Sequence, residues 1–228
     1  MLRHFETELE ELKEMILTMA GLVEKSLDDA TQAVVDGDVE LARAVIDLDD
    51  EIDQYEVEID RRATEFIARH QPTATDLRFV IVAIKLGPEL ERIADNAVNI
   101  AKRVENLAGK PPVKPLIDLP RMLRLARAMV TDSIATYVAR DAREARRVIL
   151  RDDEVDALYM QIFRELLTFM IEDPATISRS IDLILIARFA ERVADQATNI
   201  AEEVVYLVEA RPIRHVRIDS WDDEDLGE

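Results

Sequence analysis

The block Glu91-Arg92-Ile93-Ala94-Asp95-Asn96-Ala97-Val98-Asn99-Ile100-Ala101 returns one hundred residues later as Glu191-Arg192-Val193-Ala194-Asp195-Gln196-Ala197-Thr198-Asn199-Ile200-Ala201. A second match lies upstream, where Asp49-Asp50-Glu51-Ile52-Asp53 answers Asp152-Asp153-Glu154-Val155-Asp156. Asp38 and Asp141 share that second register, which is offset by three residues from the first. An insertion or deletion therefore lies between the matches, most simply at the turns around Pro72 and Pro174. Such self-similarity marks the tandem copying of one supersecondary unit, so the fold has to be solved twice by nearly the same chain.

The repeated unit is helical. Only 5 glycines and 8 prolines interrupt 228 residues. A sheet-rich domain of this size needs far more turn residues, so a β-sandwich or barrel is excluded. Gly37, Pro72, the Gly109 to Pro115 cluster, Pro174 and Pro212 delimit six segments with apolar residues at three- and four-residue spacing. The first, from Phe5 to Val35, carries Leu9, Leu12, Ile16, Met19, Val23 and Leu27 on one side. The second runs from Val39 to Arg69 and the third from Thr75 to Leu107. For the fourth, Asp118 reads as N-cap with Pro120 in the first turn, reaching Val138. Asp141 followed by Glu144 predicts a capping box for the fifth. The sixth begins after Pro174 and ends near Glu209. Thirty helical residues span about 45 Å, so these are long rods. Gly87-Pro88 predicts a kink in the third helix, and Gly21 a close helix approach in the first.

The predicted architecture is all-α, with two tandem pseudo-symmetric three-helix bundles of long antiparallel helices. The first unit covers residues 1–110 and a proline-rich linker 111–118. The second unit covers 119–211, and 212–228 form a tail. That tail passes from Arg214 and Arg217 to Asp222, Asp223, Glu224 and Asp225 around Trp221, and is expected to be disordered.

Charge limits the partners. With 29 basic and 48 acidic residues the formal net charge is -19. Phosphate backbones and bare anionic lipid are repelled, whereas cations and basic protein patches are attracted. Cysteine is absent, which removes disulfides, thiolate metal sites and cysteine nucleophiles. No secretory signal is visible, and the longest apolar run, Phe79 to Ile84, is too short to span a membrane. A cytoplasmic protein is expected, without nucleic acid and meeting membranes only through partners.

Within the repeat, Glu91, Asp95 and Asn99 fall in one row at about 0°, 40° and 80° around the helix, outside the apolar stripe. Asp49 and Asp53 form a similar row on the second helix. The second copy supplies Asp152, Asp156, Glu191, Asp195 and Asn199. Like charges at i,i+4 cost a helix about 0.2–0.5 kcal/mol, an arrangement that makes sense if a cation bridges them. All-oxygen sets suit hard ions such as Mg²⁺, Mn²⁺, Ca²⁺ or iron. A solvated acidic face is the plainer reading of any one pair, and Glu10/Glu14 is such a pair. Arg92 and Arg192 are expected to lock neighbouring helices through ion pairs.

The repeated Glu-Arg-φ-Ala-Asp-x-Ala-x-Asn-Ile-Ala block (φ apolar), with the Met19-Ala20-Gly21 segment and the Asp49/Asp53 and Asp152/Asp156 pairs, resembles the PhoU family of phosphate-signalling regulators. The likeness extends from His4–Phe5 through Val208 and departs at Ala94 and Ala194, where the family usually has glycine. The resemblance implies a two-fold pseudosymmetric α-bundle, often dimeric, that binds iron, manganese, magnesium or zinc through an acidic E(D)-x-x-x-D motif. Here that motif falls on Asp49/Asp53, Glu91/Asp95, Asp152/Asp156 and Glu191/Asp195. It further implies a regulator without turnover or organic cofactor. Such a regulator represses the phosphate-starvation response as an adaptor between the Pst phosphate transporter (through a PstB-like ATPase) and a PhoR-like histidine kinase. A regulator of another phosphate carrier and a plain helical scaffold are the alternatives. A ferritin-like di-iron oxidase needs Glu-x-x-His on two helices, and none of His4, His70 and His215 follows a glutamate at that spacing.

Overall fold

In the computed structural model the described residues are 2–213, with side chains from Phe5 onward. The chain forms α1 (Leu2–Asp36), α2 (Val39–His70), α3 (Ala74–Leu107), α4 (Asp118–Ala139), α5 (Ala142–Leu150) and α6 (Asp152–Glu172). A short 3-10 turn (Pro174–Thr176) leads into α7 (Ile177–Glu209), and there is no strand among the described residues. Helices α1, α2 and α3 pack together, as do α4, α5, α6 and α7, and the halves meet through α3 on α7 and α1 on α4. The internal repeat equates α1 with α4, α2 with α5 and α6, and α3 with α7. Both of these helix pairings join equivalent elements, as a pseudo-two-fold requires.

The buried faces follow the apolar spacing. Ile16, Met19, Ile52, Ile59, Leu86, Leu90 and Ile93 are sealed in the first bundle, and Met122, Met129, Ile162 and Leu166 in the second. Helix ends follow local chemistry. Asp38 caps α2 by accepting from the Leu41 amide at 3.0 Å. Asp141 caps α5 by accepting from the Arg143 and Glu144 amides, both at 3.0 Å. Glu144 turns to Arg147 and leaves the expected box half made. Between α1 and α2, Gly37 takes a left-handed φ of 67°.

The fifth segment departs from a single rod. It breaks at Arg151 (φ -77°, ψ -12°), where α5 gives way to α6. The Arg151 guanidinium bonds Asp132 on α4 at 2.7 Å and holds the corner. Asp118 is the first residue of α4 and not its cap; its carboxylate accepts from Gln161 on α6 at 3.0 Å. Helix α3 runs unbroken through Pro88. The close approach expected at Gly21 occurs instead at Gly87, where an added Cβ would meet Glu56 Cγ at 3.6 Å; Gly21 faces open space. The tail residues Arg214 to Glu228 lie outside the described residues, although Ile213 is buried.

The two halves are tied by polar contacts between α3 and α7. Lys85 pairs with the buried Glu203 at 2.8 Å, and Asn199 donates to Glu89 at 3.2 Å. Arg103 and Asn106 both reach Asp182, at 3.4 and 3.3 Å. Numbers climb along α3 as they fall along α7, so the helices are antiparallel. The equivalent residues Asn96 and Gln196 touch each other at 3.3 Å, where the pseudo-two-fold passes.

The matched caps are testable together. Asp38→Ala and Asp141→Ala should each cost about 1 kcal/mol in chemical denaturation, and asparagine at either position should restore most of it. Loss at neither position would show that these helix starts are held by packing alone.

Candidate functional site

The acidic rows come together in pairs of helices. In the first half, Asp49 and Asp53 on α2 face Glu91 and Asp95 on α3. Partial burial pushes the Asp49 carboxyl up to about 6, reinforced by the charges of Asp53 and Asp95 and opposed by Lys102. Glu91 is raised by the same causes, burial first and then Asp95, Asp53 and Glu56. In the second half, Asp152 and Asp156 on α6 face Glu191 and Asp195 on α7. Asp152 is pushed up to about 7, by burial and then by Asp195, Asp156, Asp153 and Glu191. Asp195 is raised by burial and Asp156, and Glu191 by burial first. All eight residues singled out in the sequence thus fall into two equivalent quartets.

The quartets are not identical. Arg188 lies three residues before Glu191, where the first half has Pro88; it bonds Glu191 and lowers the carboxyls of Glu191 and Asp195 against their burial. Lys102 plays the opposing role in the first half, and its counterpart is Glu202. Asp50, Glu56 and Asp153 add charge that the i,i+4 pattern did not single out. Glu56 stands one turn beyond Asp53, and that spacing was the available signal. Asn199 belongs to the interface with Glu89 rather than to the acidic row. Arg92 pairs within α3 with Glu89, and Arg192 lies over the Phe189 ring. Among the described residues neither arginine bridges to another helix through an ion pair. Lys85, Arg103 and Asp182 do that work, at positions where the two copies differ.

The donor set is all oxygen, the type that hard cations accept. Asp152 Oδ1 and Glu191 Oε2 are buried without a hydrogen-bond partner, the state in which a carboxylate oxygen is most costly. The carboxylates of each quartet face one another at Coulombic rather than coordinating range: among the described residues, no three acidic or histidine side chains are gathered closely enough to enclose an ion. Among those residues, too, no helix is long and apolar enough to cross a membrane.

The raised carboxyls fix the sign of a pH effect. A group whose pKa is higher folded than unfolded binds more protons in the native state, so its contribution is present below about pH 4 and is lost as pH rises through about 6 to 7. Ion-free protein should therefore gain stability from Asp49→Asn or Asp152→Asn near pH 8 and not near pH 4, as read by thermal unfolding at both values. Equal effects at the two pH values would contradict the burial and crowding described.

Comparison with known proteins adds the relationship. The model described as the PhoU domain matches residues 16–104 and 119–204. The phosphate-specific transport system accessory protein PhoU homolog of Aquifex aeolicus is 44% identical over 211 residues, covering 92% of this chain and 96% of that protein. The protein named PhoU of Escherichia coli is 37% identical over 218 residues, covering 96% of this chain and 90% of its own length. The crystal structure of PhoU from Pseudomonas aeruginosa superposes with a TM-score of 0.87 at 39% identity, over 91% of this chain and 100% of that one. The PhoU structure from Streptococcus pneumoniae gives 0.85 at 28% identity, over 91% and 98%.

Proposed function

The chain belongs to the PhoU family, and on that premise we propose that it is a cytoplasmic, non-catalytic negative regulator of phosphate uptake and of the phosphate-starvation response. It acts as an adaptor between the Pst phosphate transporter, through its PstB-like ATPase, and a PhoR-like sensor histidine kinase, and works as a pair of identical chains. One observation carries the reading: the family match takes in both helical units, and each unit sets a carboxylate quartet on the same pair of helices. The names of relatives from several bacteria place those proteins with phosphate-specific transport, which supports the assignment of the client.

The quartets bind polyvalent cations, with iron, manganese, magnesium and zinc as the ions in question. Asp49, Asp53, Glu91 and Asp95 would hold one group, and Asp152, Asp156, Glu191 and Asp195 the other. A bound ion supplies positive charge where burial and mutual repulsion have raised the carboxyls, and the side chains close on it from their Coulombic spacing. No turnover is needed for such a role. What the protein presents to its partners is a surface whose charge depends on occupancy.

Two experiments test this reading. Millimolar Mn²⁺, Mg²⁺ or ferric iron should raise the melting temperature, by roughly 5–10 °C at a hundred-fold excess over Kd. Replacing Glu91, Asp95, Glu191 and Asp195 with alanine should abolish the rise, and an unchanged response would remove the ions from these residues. Deleting the gene should derepress alkaline phosphatase in phosphate-rich medium. Full repression in the deletion strain would rule out the regulatory role.

A further inference from the structure

The two quartets sit on matched helices, yet the side chains at one end of each are opposite in kind. In the second half Arg188, three residues before Glu191 on α7, donates from Nη1 to Glu191 Oε1. Its guanidinium also lies over the Tyr159 ring of α6, 5.8 Å from the centroid. Arg188 thus spans the two helices beside the quartet, held by a carboxylate on one and an aromatic face on the other. The counterparts of Arg188 and Tyr159 in the first half are Pro88 and Glu56. Proline has nothing to donate, and Glu56 lies close enough to Glu91 to help raise its carboxyl. One copy therefore has a cation where the other has a fifth carboxylate.

The other nearby cations do not reproduce this contact. Lys102 is exposed and acts on Asp49 through charge alone, with no hydrogen bond to the first quartet among the described residues. Arg92 and Arg192 occupy matched positions, so they do not distinguish the halves. At Glu191 the consequence is specific. Its side chain is only 12% exposed; Arg188 takes Oε1, and Oε2 is buried without a hydrogen-bond partner. An ion seated on Oε2 while Arg188 stays on Oε1 would set two positive charges within about 5 Å of each other, a repulsion that partial burial strengthens. Arg188 is itself 43% exposed, so a released guanidinium has water beside it. In the first half no such contact has to be broken, and Glu56 adds an oxygen donor.

Resting on the reading that the quartets hold polyvalent cations, we infer that Arg188 is a built-in counter-ion, which occupies Glu191 in the ion-free protein and has to be displaced before the second quartet fills. The first quartet, with Glu56 in reach and no guanidinium to displace, fills first. The two steps differ in what they release. Loading the first quartet breaks no ion pair of its carboxylates among the described residues. Loading the second frees Arg188 from Glu191 and from the Tyr159 ring, and so changes the outer surface between α6 and α7. Duplicated sites thereby respond to two ranges of ion concentration, and only the upper range alters that surface.

Titration of the ion-free, full-length protein with Mn²⁺, read by loss of the free-ion electron paramagnetic resonance signal, tests this directly. The wild type should show a tighter and a weaker class of site. Glu91→Ala with Asp95→Ala should remove the tighter class, and Glu191→Ala with Asp195→Ala the weaker. Arg188→Gln, which keeps a hydrogen-bond donor and loses the charge, should tighten the weaker class by about 10- to 100-fold and leave the other unchanged. Arg188→Lys, which keeps the charge, should leave the weaker class weak. Thermal unfolding gives a second readout: without ions Arg188→Gln should melt below the wild type, because Glu191 loses its counter-ion, and saturating Mn²⁺ should erase the deficit. A deficit that persists in Mn²⁺ would make Arg188 a packing residue and overturn the inference. Binding that Arg188→Gln weakens or leaves unchanged overturns it too, as does a tighter class that is lost with Glu191 and Asp195; in each case the cation reading of the quartets survives. Absence of Mn²⁺ binding in both the wild type and Arg188→Gln overturns that reading and the counter-ion with it.

Discussion

The antiparallel packing of α3 on α7 determines where everything else lies. Each is the innermost helix of its own bundle, and each meets its equivalent in the other half through polar contacts set into one continuous apolar core. A buried pair such as Lys85 with Glu203 adds little net stability once desolvation is charged against it, but a misregistered neighbour would leave Glu203 buried and unpaired. The contact therefore sets the register between halves more than it adds to their stability. Asn96 on Gln196 marks the point of symmetry, and the acidic rows sit one flank away on both helices, each turned toward its own second helix.

Around that shared frame the two copies have diverged in ways that follow from single residues. Arg188 in place of Pro88 gives the second quartet a cation of its own, so its Glu191 and Asp195 feel less mutual repulsion than burial alone would suggest. The first quartet draws its cation from Lys102, about two turns beyond Asp95 on α3. The break at Arg151 puts Asp152 in the first turn of α6, where helix-end amides favour a carboxylate, whereas Asp49 sits in mid-helix. Asp152 is lifted further than Asp49, by burial first and then by Asp195, Asp156, Asp153 and Glu191, with no cation among these to match Lys102 beside Asp49.

Much of this was legible before any coordinates. Breaker positions bounded the helices to within a few residues, and the recurring block equated the halves, because both signals depend on local sequence. The misses share a cause: they depend on which neighbour a face meets. Leu150-Arg151-Asp152 contains no glycine or proline, so the corner held by Arg151 and Asp132 left no trace in the pattern. Gly21 and Gly87 look alike in sequence, and only the docking of α2 on α3 separates them. Asn199 shares the period of the acidic row, yet at about 80° round the helix it is captured by Glu89 of the other half. The wide apolar arc of α6 reads as ordinary core until burial shows that Leu158, Ile162 and Leu166 already fill the interior and leave a second row outside.

The quartets and the exposed apolar row of α6 pose the same physical question, because both are features that cost an isolated, ion-free chain something. Crowded carboxyls lifted toward neutrality lower stability near pH 7 and above, and exposed Leu and Ile lower solubility. Neither cost is forced by the fold: Arg61 and Arg62, both paired with Glu58 on α2, show that this helix bundle can dress an outer face in paired charge. Duplication sharpens the point for the acids, since both copies hold the full quartet while the surrounding residues, Pro88 and Arg188 or Lys102 and Glu202, have drifted apart. A drifting surface that keeps its repulsive groups is explained by something that relieves the repulsion. On the proposed reading cations relieve it at the quartets, so each chain in its working form is less negative than the ion-free one.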